Sequence, residues 1–385
     1  MSGDDKPKKN TRKLRKPIGI AVSILSLAVL TYISIVLIFR RESGLSSLWG
    51  LFPAREVVAA ADEYYFDVGR GRVFADLDGA IAAAGTLGIQ VIDSLGGEIL
   101  RDPYRMSEPA IDAAGGRAIA FDIGGTAVRV FDATGVITEF DADGAIVSAS
   151  INENSWFCVC TQEVGGYKGA VKVFNNLGRD VYKVSLASGY VLSAALAPDN
   201  SRLCILMLTD SGSRVVYYSL NSESEGNSFA MPAGIILDVR FLPGGNVIAV
   251  ATDSLIVIDR NGVGKEIFGF YGRRLGGYCF DGGLTVLHLL DYGVGFGGRI
   301  IALDADGRLL GELITDVEII SMSYGGGYLA ALRSDRLAFF DADFNEVPQS
   351  GRFVSTAGIN RLVTLGAGSV LVAGDHSAMV VRVRE

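Results

Sequence analysis

Val91-Ile92-Asp93-Ser94-Leu95-Gly96, Val130-Phe131-Asp132-Ala133-Thr134-Gly135 and Val173-Phe174-Asn175-Asn176-Leu177-Gly178 are three occurrences of one signal. A short apolar run ends in Asp or Asn, and Gly follows three residues later. The acidic or amide side chain can bond the turn's own backbone, and Gly supplies the positive φ that a tight hairpin requires. The signal returns at Val257-Ile258-Asp259 with Gly262, at Ala302-Leu303-Asp304 with Gly307, and at Phe339-Phe340-Asp341 followed by Asp343. Successive turns lie 39, 43, 84, 45 and 37 residues apart. The long gap holds a degenerate copy, residues 215–220 followed by Asn221, and so counts as two periods.

Ahead of each turn stands a second strand pair, such as residues 235–241 and 247–251 around Gly244-Gly245, or 191–195 and 203–208 around Asp199-Asn200. Each repeat of roughly 41 residues is therefore four short strands, which is one blade of a β-propeller. Blades are expected to start near Arg72, Pro109, Ile146, Val191, Ile235, Leu275, Glu318 and Ile359. This predicts an all-β propeller of about eight four-stranded blades over residues 63–385, or seven if one repeat is an insertion. The last repeat supplies only three strands, at 360–365, 369–374 and 378–383. Because an incomplete blade leaves an exposed edge, the segment 63–68, Glu-Tyr-Tyr-Phe-Asp-Val, is expected to complete it and join the two ends of the domain.

Upstream, residues 18–39 read IGIAVSILSLAVLTYISIVLIF, 22 residues without a charge. At 1.5 Å per residue this spans a hydrocarbon core of about 30 Å, and a transmembrane helix is expected. Lys6, Lys8, Lys9, Arg12, Lys13, Arg15 and Lys16 precede it, and only Arg40, Arg41 and Arg55 follow. That asymmetry places the tail 1–17 in the cytoplasm and the propeller across the cell membrane, with residues 40–62 as a juxtamembrane linker. A cleaved signal peptide would have a shorter core followed closely by small residues. Here the core ends in Arg-Arg, and Ala59-Ala60-Ala61 lies well beyond.

Composition agrees with a turn-dense β protein: 49 glycines, 49% hydrophobic residues and a positive mean hydropathy. The net charge of −8 conceals two regions. Residues 1–41 hold nine Lys/Arg against two Asp/Glu, and the remainder holds 26 against 41. So acidic a globular part repels phosphate backbones, which argues against a nucleic-acid partner.

The Val/Ile-Phe/Ile/Leu-Asp-x-x-Gly turn resembles the outer hairpin of quinoprotein-type and WD-repeat-like propellers. With the N-terminal anchor, the chain is similar to a family of bacterial membrane-anchored propeller domains without an assigned activity. It departs from quinoproteins in having only Trp49 and Trp156 and no vicinal cysteine pair, so no quinone or other cofactor is expected.

Motifs that suggest chemistry read more simply as turns or strands. Gly293-Val-Gly295-Phe-Gly-Gly298 matches GxGxxG, yet a strand at 299–303 stands where the dinucleotide fingerprint needs a helix. Asp76-Leu-Asp78-Gly79, Asp141-Ala-Asp143-Gly144 and Asp304-Ala-Asp306-Gly307 begin like calcium loops but lack the distal bidentate carboxylate. His288 alternates with Val286 and Leu290 as a satisfied strand residue, and His376 falls in an exposed turn. Neither has zinc-ligand spacing, and no GxSxG elbow is present. Cys158, Cys160, Cys204 and Cys279 all fall on inner strands without bridging spacing and are expected as free thiols.

Aromatic and basic residues gather in the loops expected to open on one face. Tyr104 and Arg105, Tyr271 with Arg273 and Arg274, and Arg352 with Phe353 lie at blade connections. Tyr167 with Lys168, and Tyr292 with Phe296, lie in the two longest hairpins. Tyr and Arg are enriched at interface hot spots, so these eleven residues form the expected partner-binding face, unless they serve only solubility and cover. The expected function is a non-enzymatic binding or scaffold module engaging a cell-envelope protein, peptide or glycan. The alternative is an enzyme acting on envelope polysaccharide or on a small substrate in the central channel, whose mark would be converging carboxylates or a metal there. A third reading is a structural subunit assembled through the transmembrane helix.

Overall fold

The Asp-x-x-Gly signal builds the hairpin for which its residues suit it. At residues 93–97, Asp93 Oδ1 accepts the backbone N–H groups of Leu95 and Gly97, each at 2.8 Å, and Gly96 takes a φ of +87°. The same bonding recurs at Asn175, Asp259, Asp304 and Asp341. In the last of these, Phe344 stands at the glycine position with a φ of +62°. An L residue is strained there, but burial of its ring against Gly311 offsets the cost. A ring needs room, and Gly311 leaves it by having no side chain.

The computed structural model describes residues 56–162, 165–222, 224–291, 296–348, 358–366, 368–374 and 377–384. They form eight antiparallel sheets, one per repeat, so the eight-bladed count holds and the seven-bladed alternative falls. The first strands of the repeats begin at Val73, Pro109, Ile146, Tyr190, Ile236, Arg274, Ile319 and Ile359, within a residue of the starts read from the sequence. We number these blades 1 to 8. Seven sheets have four strands, and blade 7 has three among the described residues, with an isolated bridge from Phe340 to Glu346 beyond its last strand.

At seven of the eight seams the first strands of neighbouring blades touch, which makes the first strand innermost. The second and third strands are almost wholly buried, as in Gly88–Ile92 and Val247–Ala251. Outer strands such as Glu98–Pro103 and Leu309–Thr315 alternate toward solvent. A strand covered on both faces reads as a continuous apolar run, and one covered on a single face alternates. Eight apolar clusters lie one at each seam between consecutive blades.

Blade 8 is closed by the N-terminal end of the domain, as the sequence implies, but by an earlier segment. Strand Glu56–Tyr64 pairs antiparallel with Ala378–Arg384, from Glu56 opposite Arg384 to Tyr64 opposite Ala378. Part of the stretch expected as linker is therefore strand. Residues 65–70 leave that sheet and run along blade 1: Leu87 N–H donates to Val68 O, and Thr86 N–H to Arg70 O. Their alternating burial, with Tyr64, Phe66 and Val68 inside, is what makes the segment look like the closing strand. These three side chains fill the seam between blades 8 and 1, where Phe66 meets Phe74 edge to face at 5.1 Å.

Residues 18–39, the expected membrane span, lie outside the described residues, as do the tail 1–17 and the linker up to residue 55. Among the described residues no helix is long and apolar enough to cross a membrane.

The closure makes a quantitative prediction. Phe66→Ala should destabilise the domain by about 3–5 kcal/mol, the range for a truncated buried aromatic. Leu95→Ala, at a side chain 86% exposed, should stay within about 0.5 kcal/mol. Denaturant unfolding of both variants checks this, and equal midpoints would contradict the closure.

Candidate functional site

Antiparallel order within each blade sends the hairpins between strands one and two, and three and four, to one face of the ring. The hairpins between strands two and three, and the blade-to-blade connections, open on the other. Every described residue of the expected binding face belongs to this second set of loops.

At the connection between blades 5 and 6, Tyr271 is 82% exposed yet holds a φ of +51°. The turn is pinned beneath it: Arg273 N–H donates to the carbonyl of buried Phe270 at 3.0 Å. Arg273 Nε then reaches Asp291 at 2.8 Å, tying the connection to the hairpin of blade 6 that carries Phe296, 55% exposed. Arg274 is exposed beside them. A large aromatic on a left-handed backbone costs free energy, and an edge-to-face contact with Phe268 at 6.1 Å leaves most of the Tyr271 ring in solvent. In the hairpin between the second and third strands of blade 3, Tyr167 and Lys168 are exposed, and the Lys168 ammonium lies 5.7 Å from the ring centre of Tyr190 at the start of blade 4.

Tyr104 does not join these groups. It is half-buried, the Arg129 guanidinium covers its ring at 4.4 Å, and its hydroxyl is buried with no hydrogen-bond partner among the described residues. Burial pushes its ionisation far above the ordinary tyrosine range. Its neighbour Arg105 is exposed. Tyr292, Arg352 and Phe353 lie outside the described residues, as does His376.

The channel holds a second group that sequence reasoning missed. Where it opens on the opposite face, a cavity of about 630 Å³ is lined by Asp112 of blade 2, Asp238 and Arg240 of blade 5, and Tyr278 and Cys279 of blade 6. Arg240 lies 3.7 Å from Asp112 on another blade and 3.7 Å from Asp238 on its own strand. Asp112 also accepts the backbone N–H of Ile151 from blade 3 at 3.0 Å. Tyr278 Oη donates to Asp238 at 3.5 Å, a long bond. Burial raises the Asp238 carboxyl above its ordinary range, opposed by Arg240, and pushes the Tyr278 hydroxyl up to about 12. The sequence signal was present but faint. Inner strands carry a bulge near their start, and Ser148, Ser193, Asp238, Gly277, Ser321 and Arg361 each resume pairing after it. Charges at that position mark the channel wall.

The other reactive groups are structural. Cys158, Cys160, Cys204 and Cys279 are free thiols, as expected; the first three are buried and Cys279 is partly so. Burial pushes Cys158 up to about 11 and Cys279 up to about 12, which keeps them protonated and unreactive. His288 is a buried strand residue, but its Nε2 has no partner among the described residues, and burial lowers its pKa, favouring the neutral ring. The three DxDG runs divide. Asp76 and Asp304 bond the backbone of their own turns, and Asp143 pairs with Lys172 at 2.7 Å. Among the described residues no group of three or more His, Cys, Asp or Glu could hold a metal ion. The first half of the GxGxxG run lies outside them, and its last residue opens the strand Gly298–Leu303.

Removing Arg240 should leave two carboxylates facing each other across the channel. We expect Arg240→Met to destabilise the domain by about 1–3 kcal/mol at neutral pH, below the full penalty for breaking a buried pair because the side chain is partly wet. Burial raises the Asp238 pKa in the folded state and Arg240 opposes that rise, so removing Arg240 raises it further. The loss should therefore be present above its folded pKa and shrink as the pH falls through it. Thermal unfolding at pH about 7.5 and about 5 measures this, and an equal loss at both would refute the pairing.

The fold resembles the C-terminal WD40 domain of Sif2, with 12% identity, a TM-score of 0.63, and 87% of this chain and 100% of that one covered. It also resembles BamB from Moraxella catarrhalis, with 14% identity, a TM-score of 0.56, and 85% and 99% covered. At such identities the likeness is one of fold. No curated protein matches the chain in sequence. The family of unknown function DUF5711 matches residues 61–343, most of the propeller, and the chain belongs to that family.

Proposed function

We propose that this propeller is a non-enzymatic binding module, held at the outer surface of the cell membrane by residues 18–39, that engages a cell-envelope protein, peptide or glycan. The observation that carries the reading is the blade 5–6 connection, where Tyr271, Arg274 and Phe296 are presented to solvent on a pinned turn. Aromatic side chains, with two rotatable angles, lose little conformational entropy on contact, and the planar guanidinium adds directed hydrogen bonds, so together they suit both protein and sugar surfaces. The basic tail before residue 18 supports the orientation, and the acidic domain argues against nucleic acid.

A second reading, an enzyme working in the channel, draws on the cluster of Asp112, Asp238, Arg240 and Tyr278. In that reading Asp238, with its raised pKa, is the general acid. Against it, both carboxylates already have partners within the cluster, which makes them a strut across the ring.

The two readings separate by mutation. Affinity capture with the full chain from solubilised envelopes should lose its specific partner about tenfold or more in Tyr271→Ala/Arg274→Ala, and keep it in Asp238→Asn. The reverse pattern would transfer the function to the channel. Orientation is tested with an impermeant protease on intact cells, which should cleave the propeller from its anchor. Full protection there, with cleavage after lysis, would place the domain in the cytoplasm.

A further inference from the structure

The seam between blades 8 and 1 carries a different kind of site on the same face as Tyr271. The connector Gly69-Arg70-Gly71-Arg72 and the start of the inner strand of blade 8, Asn360-Arg361, enclose a cavity of about 380 Å³ with Phe74 and Gly374 in its wall. Three guanidinium groups therefore share one cavity, and no carboxylate is among its described lining residues. Other arginines at seams have their charge met singly, by acids as with Arg101 between Asp67 and Glu98 at 2.8 and 2.7 Å, or by a backbone carbonyl as with Arg202 on Gly245 O at 2.8 Å. In this cavity Arg70 and Arg361 have no ion pair with a described residue, and Arg72 Nε donates only to Gly69 O at 2.9 Å.

The backbone holds the charges together. Arg70 N–H donates to Thr86 Oγ1 at 3.0 Å and its carbonyl accepts Thr86 N–H at 3.0 Å, which docks the connector on blade 1. Gly69 and Gly71 flank it with φ of +84° and +63°. Arg361 stands directly after the inner-strand bulge of blade 8, the position Asp238 holds in blade 5. Like charges brought to one cavity on a domain that is otherwise acidic repel one another, and an anion seated among them removes that cost. Guanidinium pairs bind carboxylate and phosphate oxygens in bidentate fashion, and the volume lies in the range of small-ligand sites.

We infer that the blade 8–1 seam pocket binds a small organic anion, a sugar-sized molecule bearing a phosphate or carboxylate group, through Arg70, Arg72 and Arg361. Because the pocket exists only when the ring is closed, its ligand stabilises the closed domain by mass action.

The test is thermal unfolding of the full chain in detergent micelles at constant ionic strength. It is titrated in one arm with glucose 6-phosphate and in the other with glucuronate, with glucose and sodium chloride as controls. A saturable rise in Tm with one acidic sugar is expected, and the responding arm identifies the anion. The response should weaken about tenfold or more in Arg70→Gln/Arg361→Gln and persist in Arg179→Gln, at an exposed arginine in an outer turn of blade 3. Ligand-free unfolding and circular dichroism show whether each variant is folded. Should the double variant not fold, Arg361→Gln alone provides the comparison, since Arg361 is exposed and makes no ion pair among the described residues. No saturable response to either acidic sugar at millimolar concentration, or a response equal in the folded Arg361→Gln variant, would overturn the assignment.

Discussion

No blade of this chain can bury its own middle strands, and the whole structure follows from that constraint. The second and third strands are apolar on both faces, and each face is covered only by a neighbouring blade. Burial contributes about 25 cal/mol per Å² of apolar surface removed from water, so the dominant stabilising term sits at the seams between sheets. A row of such blades would end in two uncovered faces. The ring removes them, provided the last seam is made as well as the others. Tyr64, Phe66 and Val68 make it, while the backbone of Glu56–Tyr64 completes the sheet to which the C-terminal strand belongs.

The outer hairpins lock the seams from the edge. A Cβ at Gly307 would lie 2.5 Å from Ile267 O on the outer strand of blade 5, so the turn of blade 6 rests directly on its neighbour's backbone. Gly96 of blade 1 approaches the Tyr64 ring of blade 8 in the same way, with a Cβ there meeting it at 3.0 Å. The glycine in the sequence signal thus does two tasks, allowing the positive φ and allowing the close approach. Phe344 solves the second problem from the other side, since its ring needs Gly311 beneath it. One turn motif therefore shapes both the blade and the contact between blades.

These local chemistries explain what was legible in the sequence. Asp or Asn followed by Gly identifies a hairpin because its bonds lie within five residues, and the apolar runs identify strands buried on both faces. The closing strand was harder. Residues 64–68 alternate as a strand would, but the partner that decides between blade 8 and blade 1 lies far away in the chain. The channel cluster was only faintly marked for the same reason: Asp112 and Arg240 are ordinary strand residues until closure brings them within 3.7 Å. Tyr104 and Tyr271 are alike in sequence, each within two residues of an arginine at a blade connection. Only the fold distinguishes them, setting Arg129 over the first and leaving the second in solvent.

Closure by the N-terminal strand is the claim on which the rest depends, and a cross-link tests it most directly. Val58 is paired with Arg382 across the closing ladder, whereas Ser369, opposite Arg382 on its other side, lies one strand further away. Cysteines at Val58 and Arg382 should form a disulfide on mild oxidation of the folded full chain, seen as faster migration without reductant. Cysteines at Val58 and Ser369 should not, because the separation of about two strand spacings exceeds a disulfide's reach. Cross-linking of the first pair alone is the predicted result; failure of that pair, or equal reaction of both, would contradict the closed ring described here.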